Sequence, residues 1–229
     1  MNFDAVMIIE RSGPVGVVIV ALSVIALTAT IFKILQFMRY RVGSHRTALR
    51  ASQQWLNGNY QTAFAMVESH RAPLSRVMAH AMRGLTHGGA HFEEVKEDVA
   101  RVASEELRKL RKYVGVIETV GQLAPLLGLL GTVIGMIKAF ADLQQSGAVV
   151  NPATLAGGIW TALLTTALGL GVAIIFSTIT LWFDARIESE RSIMETTLTG
   201  FLANRITDEQ ARDFGDVTSF PGSRGAHAN

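Results

Sequence analysis

Apolar positions along the chain gather into three long runs separated by charged stretches. The first extends from Gly13 to about Phe37 and is interrupted late by Lys33 and Gln36. The second extends from about Val114 to Ala141, with Glu118 near its start and Lys138 near its end. The third, from about Ala153 to Phe183, contains no charge. A helix needs about 20 apolar residues to cross a bilayer core. All three runs reach that length, and the third exceeds it, so it can tilt or protrude. Asp4 and Glu10 precede the first run, which is also longer than the apolar segment of a secretory signal, about 7–15 residues. It is therefore expected to be a retained span.

The stretches between the runs are helical in pattern. SHRTALRASQQWL is closed by Asn57–Asn59, YQTAFAMVESH follows, and PLSRVMAHAMRGL opens on Pro73, a favourable first helical residue. Thr86–His91 reads as a turn. From Phe92 the sequence FEEVKEDVARVASEELRKLRKYV keeps helical spacing, with no Gly or Pro before Gly115. One unbroken helix is expected from there into the second run. The third run continues as DARIESERSIMETTLTGFLANRI, and FGDVTSFPGSRGAHAN has the composition of a disordered tail. No strand pattern or internal repeat is present. The expected class is thus an all-α membrane protein with three transmembrane helices, whose long helices extend into a water-exposed helical domain. The partition is 1–12 as an N-terminal segment, 13–38 as span one, 39–113 as the helical domain and 114–141 as span two. A loop follows at 142–152, then span three at 153–183, a C-terminal helix at 184–213 and the tail at 214–229.

Composition sharpens this picture. Of the 229 residues 49% are hydrophobic and 17% charged, below the about 25% usual for a soluble domain, and mean hydropathy is +0.30. The net charge of +2 gives no reason to expect nucleic acid as a partner. Without cysteine there is neither a disulfide nor a thiolate metal site. Arg39, Arg41, Arg46 and Arg50 follow span one; Arg108, Lys109, Arg111 and Lys112 precede span two; Arg186 and Arg191 follow span three. The loop from Asp142 to Pro152 has no Lys or Arg. The positive-inside rule then places the N-terminus outside and the helical domain and C-terminus in the cytoplasm. The basic run before span two fits an orientation signal and contact with anionic lipid.

On a helix of 100° per residue, Gly121, Pro125, Gly128, Thr132, Gly135 and Ala139 fall within about 40° of one line. Gly131 and Gly135 add a GxxxG pair. Small residues on one face let neighbouring backbones approach closely in lipid. Tight packing inside one subunit explains such a stripe; a face lining a narrow channel shared with other chains is the sharper alternative. Pro125 frees a carbonyl, which is tolerated where it is packed or hydrated. In span three, Thr154, Gly158, Thr161, Thr165 and Gly169 share one face, while Thr166, Ala173, Ser177 and Thr180 share another. A lone threonine in a helix commonly bonds its own backbone; two polar faces suggest contact with a neighbouring subunit and with something else polar. None of the apolar cores contains Asp or Glu, and Lys33 and Lys138 lie close enough to the ends to snorkel. If protons cross, another chain must bring the carboxylate. His87 and His91 flank a glycine turn rather than lying on a helix, so ordinary surface histidines are expected and no metal site. No nucleophile–base constellation or phosphate loop appears, so neither an enzyme nor a cofactor is expected.

The blocks SGPVGVVIVALSVIALT, LAPLLGLLGTVIGMIKAF and LAGGIWTALLTTALGLGVAI resemble the three spans of the MotA/TolQ/ExbB proton-channel family. Three spans with a large insert after the first resemble its ExbB and TolQ members more than the four-span MotA type. The resemblance covers nearly the whole chain; the second and third blocks are specific and the helices between are not. It implies a homopentameric ring in the bacterial inner membrane, with a periplasmic N-terminus and a cytoplasmic C-terminus. It also implies an enclosed dimer of an ExbD/TolR-like single-span protein that supplies a transmembrane Asp, and work on a TonB/TolA-like protein for outer-membrane transport or integrity. Thr132 and Thr166 match the family's two pore threonines, with Thr161, Thr165 and Ser177 joining the ion path. Gly121, Pro125, Gly128, Gly131 and Gly135 pack helices. The Glu common in ExbB and TolQ five residues before the second pore threonine is Thr161 here, preceded by Trp160, and the usual Pro is Gly157. Any proton path therefore depends more completely on the partner's Asp, and the assignment to ExbB or to TolQ stays open, as does sodium in place of the proton. A channel or carrier needing no second protein, and a membrane scaffold without ion flux, are the rival readings.

Overall fold

The computed structural model describes residues 13–86, 92–145 and 152–217. The N-terminal segment, the His87–His91 turn, most of the loop after span two and the last twelve residues of the expected tail lie outside them. Every element among the described residues is an α-helix: α1 Gly13–Arg39, α2 Arg46–Leu56, α3 Tyr60–Glu68, α4 Pro73–Thr86, α5 Phe92–Arg111, α6 Val114–Gln145 and α7 Pro152–Val217. Stretches of α1, α6 and α7 are long and apolar enough to cross a membrane. Helix α7 runs for 66 residues, from the third apolar run without interruption to Val217. The tail expected from residue 214 therefore begins inside this helix.

The chain divides into two compact units. One comprises Met1–Met38 with Leu110–Ile187 and holds the three spans. Here α1 buries a single helical stripe, Gly16, Ile19, Ala26, Thr30, Lys33 and Phe37, while much of the rest of its apolar surface stays exposed, as befits a lipid-facing helix. Phe37 meets Phe183 of α7 edge-on at 5.2 Å, and Phe32 meets Tyr113 at 5.6 Å.

One expectation fails within this unit. The helix from Phe92 is not continuous: α5 ends at Arg111, α6 starts at Val114, and Tyr113 between them has φ +71°. A left-handed conformation costs a residue with a side chain about 1–2 kcal/mol, so local preference alone does not choose it. Lys33 lies close by and is fully buried within the chain, its side chain directed toward the end of span one. Its Nζ donates to the Lys112 carbonyl at 2.8 Å and to Gln36 Oε1 at 2.9 Å, and lies 5.3 Å from the Phe37 ring centre. A lysine in a low-dielectric setting must find acceptors, and a carbonyl released by a broken helix is one.

The second unit comprises Arg39–Lys109 and Glu188–Asn229. Its core gathers Trp55 from α2, Val67 from α3, Leu74, Met78 and Met82 from α4, Val95 and Val99 from α5, and Met194 and Phe201 from α7. Asn57–Asn59 does turn the chain between α2 and α3, with Gly58 at φ +84°, where glycine carries no side-chain penalty. Trp55 packs edge-on against Tyr60 at 4.8 Å and Phe201 at 5.9 Å. Gly84 admits the Val95 side chain, whose Cγ1 would lie only 2.9 Å from a Cβ at that position. Across the same pair of helices, Arg76 Nη1 reaches Glu106 Oε2 at 3.3 Å and His80 Nε2 bonds Asp98 Oδ2 at 2.5 Å. The bonds from His80 and then Arg101 hold the Asp98 carboxyl below its ordinary range.

Candidate functional site

The candidate site is the seam between α6 and the first part of α7. The small residues of α6 meet α7 of the same chain, each at one register position. A Cβ on Gly121 would lie 2.9 Å from Ser177 Oγ, one on Gly128 3.1 Å from Thr166 Cα, and one on Gly131 2.4 Å from Thr165 Cγ2. One on Gly135 would lie 2.9 Å from Ala162 Cβ. From the other side, a Cβ on Gly169 would lie 2.5 Å from the Ala124 carbonyl oxygen, and one on Gly158 would lie 2.6 Å from Ala139 Cβ. The stripe of span two therefore brings two backbones together within one subunit. Pro125 lies inside α6 and is half-buried. Its missing N–H leaves the Gly121 carbonyl without the amide that a regular helix supplies, opposite Ser177.

The hydroxyls divide by what they bond. Thr161 donates to Gly157 O at 3.0 Å, Thr165 to Thr161 O at 2.9 Å and Thr132 to Leu129 O at 2.6 Å, each within its own helix. Thr166 differs. Its Oγ1 donates across the seam to the carbonyl of Gly128 at 2.8 Å. In a regular helix that carbonyl also accepts the amide of Thr132, four residues on. One oxygen atom thus joins the two threonines of the candidate ion path. Thr165 is buried, Thr132, Thr161 and Thr166 are half-buried, and Ser177 is exposed within the single chain.

With these four hydroxyl protons committed, the oxygens of Thr132, Thr161 and Thr166 offer acceptor lone pairs, whereas Thr165, expected on the ion path, is buried against Gly131 in the seam. Such a wall suits a protonated carboxyl, a hydrated proton or a metal cation, and does not suit an anion. The apolar spans add no carboxylate: between Val114 and Asp184 the acidic residues are Glu118 and Asp142, each close to an end of α6. Beside Thr132, an open groove of about 760 Å³ is lined by Val133, Met136, Ile137, Phe140, Ala141 and Gln144. It presents a largely apolar surface next to a hydroxyl.

Two arrangements went unseen in the sequence. The Thr166–Gly128 bond joins residues 38 apart, and the pairing of His45 Nε2 with the buried Glu190 at 3.4 Å joins residues of α7 and the α2 N-terminus. No local pattern marks either one, since both depend on which helix faces which.

Comparison with known proteins agrees with this architecture. A match to the MotA/TolQ/ExbB proton channel family spans residues 69–196, more than half of the chain, and includes α6 and the seam. The chain is 30% identical over 213 residues to an ExbB homolog of biopolymer transport in Methanothermobacter thermautotrophicus, covering 90% of this chain and 74% of that protein. It is 29% identical over 155 residues to the biopolymer transport protein exbB1 of Vibrio cholerae, covering 67% and 66%. With the biopolymer transport protein ExbB of Salmonella typhimurium it shares 31% over 133 residues, 56% of this chain and 52% of the relative. Three apolar helices of spanning length, a close-packed seam bearing hydroxyls in place of acids, and these matches lead to one conclusion: the chain is a multi-pass membrane protein of the MotA/TolQ/ExbB proton channel family.

Proposed function

We propose that the chain is the ring-forming subunit of an ion-driven motor in a bacterial inner membrane. Five copies surround a dimer of an ExbD/TolR-like single-span protein, and a transmembrane Asp of that partner carries the ion past Thr132 and Thr166. The ring energises a TonB/TolA-like periplasmic protein and makes or breaks no covalent bond itself. The observation that carries the reading is the seam: Thr166 donates to the Gly128 carbonyl and Thr132 to the Leu129 carbonyl beside it, both keep their oxygens as acceptors, and the apolar spans hold no acid of this chain for them to serve. A guest carboxyl would supply the acid that such a path lacks. Thr161 and Thr165 stand one and two turns along α7 from Gly157, and Ser177 lies farther along, so the same helix supplies further polar positions. Lys and Arg flank the spans on the side of the helical domain, which supports a cytoplasmic location for that domain and a periplasmic N-terminus. Each unit charge crossing is worth about 2.3 kcal/mol per 100 mV, ample for a mechanical step.

The test is reconstitution. Liposomes holding this chain alone should show essentially no proton or sodium flux, and flux should appear when the single-span partner is added. Thr132→Val together with Thr166→Val should abolish it while the ring still assembles. Flux from the chain alone would favour a self-sufficient channel. Full complementation by the double variant would favour a scaffold. Either result removes the motor reading, and separate proton and sodium gradients identify the ion.

A further inference from the structure

We propose that Lys33 is a latch: it holds the α5–α6 connection in its broken form, and a continuous α5–α6 helix is the second state of this chain. Three observations converge on Lys112–Tyr113. In an unbroken helix the amide of Val116 would bond to the Lys112 carbonyl, four residues earlier. Here that amide donates to Tyr113 O at 3.3 Å. The released Lys112 carbonyl takes the Nζ of Lys33 at 2.8 Å. The side chain of a neighbouring helix has replaced the helix's own hydrogen bond.

The sequence before the joint favours the continuous form. Residues 92–114 contain neither Gly nor Pro, and Tyr113 sits at φ +71°, a conformation disfavoured for a residue with a side chain. Burial also keeps helical spacing straight through the break, at Glu106, Leu110, Val114, Ile117, Gly121 and Ala124. Local preference and tertiary contact oppose each other at this one joint, as expected of an element with two arrangements. Phe32 and Phe37, on either side of Lys33, pack on Tyr113 and Phe183 and hold the lysine in place. In the continuous state the Lys112 carbonyl would accept the Val116 amide and release Lys33. The latch stands on these contacts alone and does not require the motor reading.

The experiment uses the full-length chain in lipid bilayers. It has three tyrosines, so tyrosine-selective labelling lets solid-state NMR measure φ at Tyr113. The wild type should give a positive angle. Lys33→Met, which keeps length and removes the donor, should shift it to the helical value of about −63°. A folded Lys33→Met protein whose Tyr113 stays positive overturns the latch. If that variant does not fold, the wild type still decides. Dipolar coupling between the Lys33 Nζ nitrogen and the Lys112 carbonyl carbon, erased in Lys33→Arg, supports the proposal. Its absence refutes it.

Discussion

Replacing Gly169 by alanine adds one methyl group where the seam has no room for it. The new Cβ would lie 2.5 Å from the Ala124 carbonyl oxygen, 3.0 Å from Gly128 Cα and 3.2 Å from Gly128 N. All three are backbone atoms, so no side chain can swing aside. Ordinary contact begins near 3.4 Å, so α6 and α7 must separate locally by about 0.9 Å. Overpacking of this kind costs about 1–3 kcal/mol. The separation also loosens the Thr166–Gly128 bond, and interhelical hydrogen bonds in membranes average about 0.6 kcal/mol. Against this, alanine gains about 1 kcal/mol of helix propensity over glycine. The net expectation is a loss of about 1–2 kcal/mol. Gly171, two residues on, supplies the control: a Cβ there meets nothing within 4 Å. Gly171→Ala keeps the propensity gain without the clash, so the two variants should differ by about 2–3 kcal/mol. Reversible unfolding of each monomer by steric trapping in bicelles reads this difference. Equal stabilities would show that the two helices do not approach this closely.

The remaining predictions concern single polar contacts. Thr166→Val removes a bond between helices and should destabilise the fold by about 0.6–1.7 kcal/mol. Thr132→Val, whose bond stays within its own turn, should change stability by less than about 0.5 kcal/mol, so equal losses in unfolding would contradict the assignment. Asp98 offers a pH test. Its carboxyl is held below the ordinary range by His80 first and Arg101 next, so the stabilisation is present above about pH 4 and disappears as pH falls through the native value. Asp98→Asn should flatten the acid limb of the melting temperature between pH 5 and pH 3. An unchanged limb would mean the pair does not form in solution.

The order of apolar and charged stretches was enough to place three spanning helices and an intervening helical domain, because bilayer thickness and the 3.6-residue period act on every residue independently of its distant neighbours. Pro73 and Asn57–Asn59 marked their helix start and turn for the same local reason. The stripe from Gly121 to Ala139 told that something packs closely, though not what. Only the tertiary structure showed that its partner is α7 of the same chain, that Thr166 crosses to Gly128 while Thr132 stays in its own turn, and that Thr161 and Thr165 bond within α7. The joint at Lys112–Tyr113 shows the limit most clearly. Residues 92–114 favour an unbroken helix, yet a lysine 79 positions from Lys112 in sequence claims the carbonyl that would have continued it. Local sequence sets what each segment prefers by itself, and which preference yields depends on groups that meet only after the helices have packed.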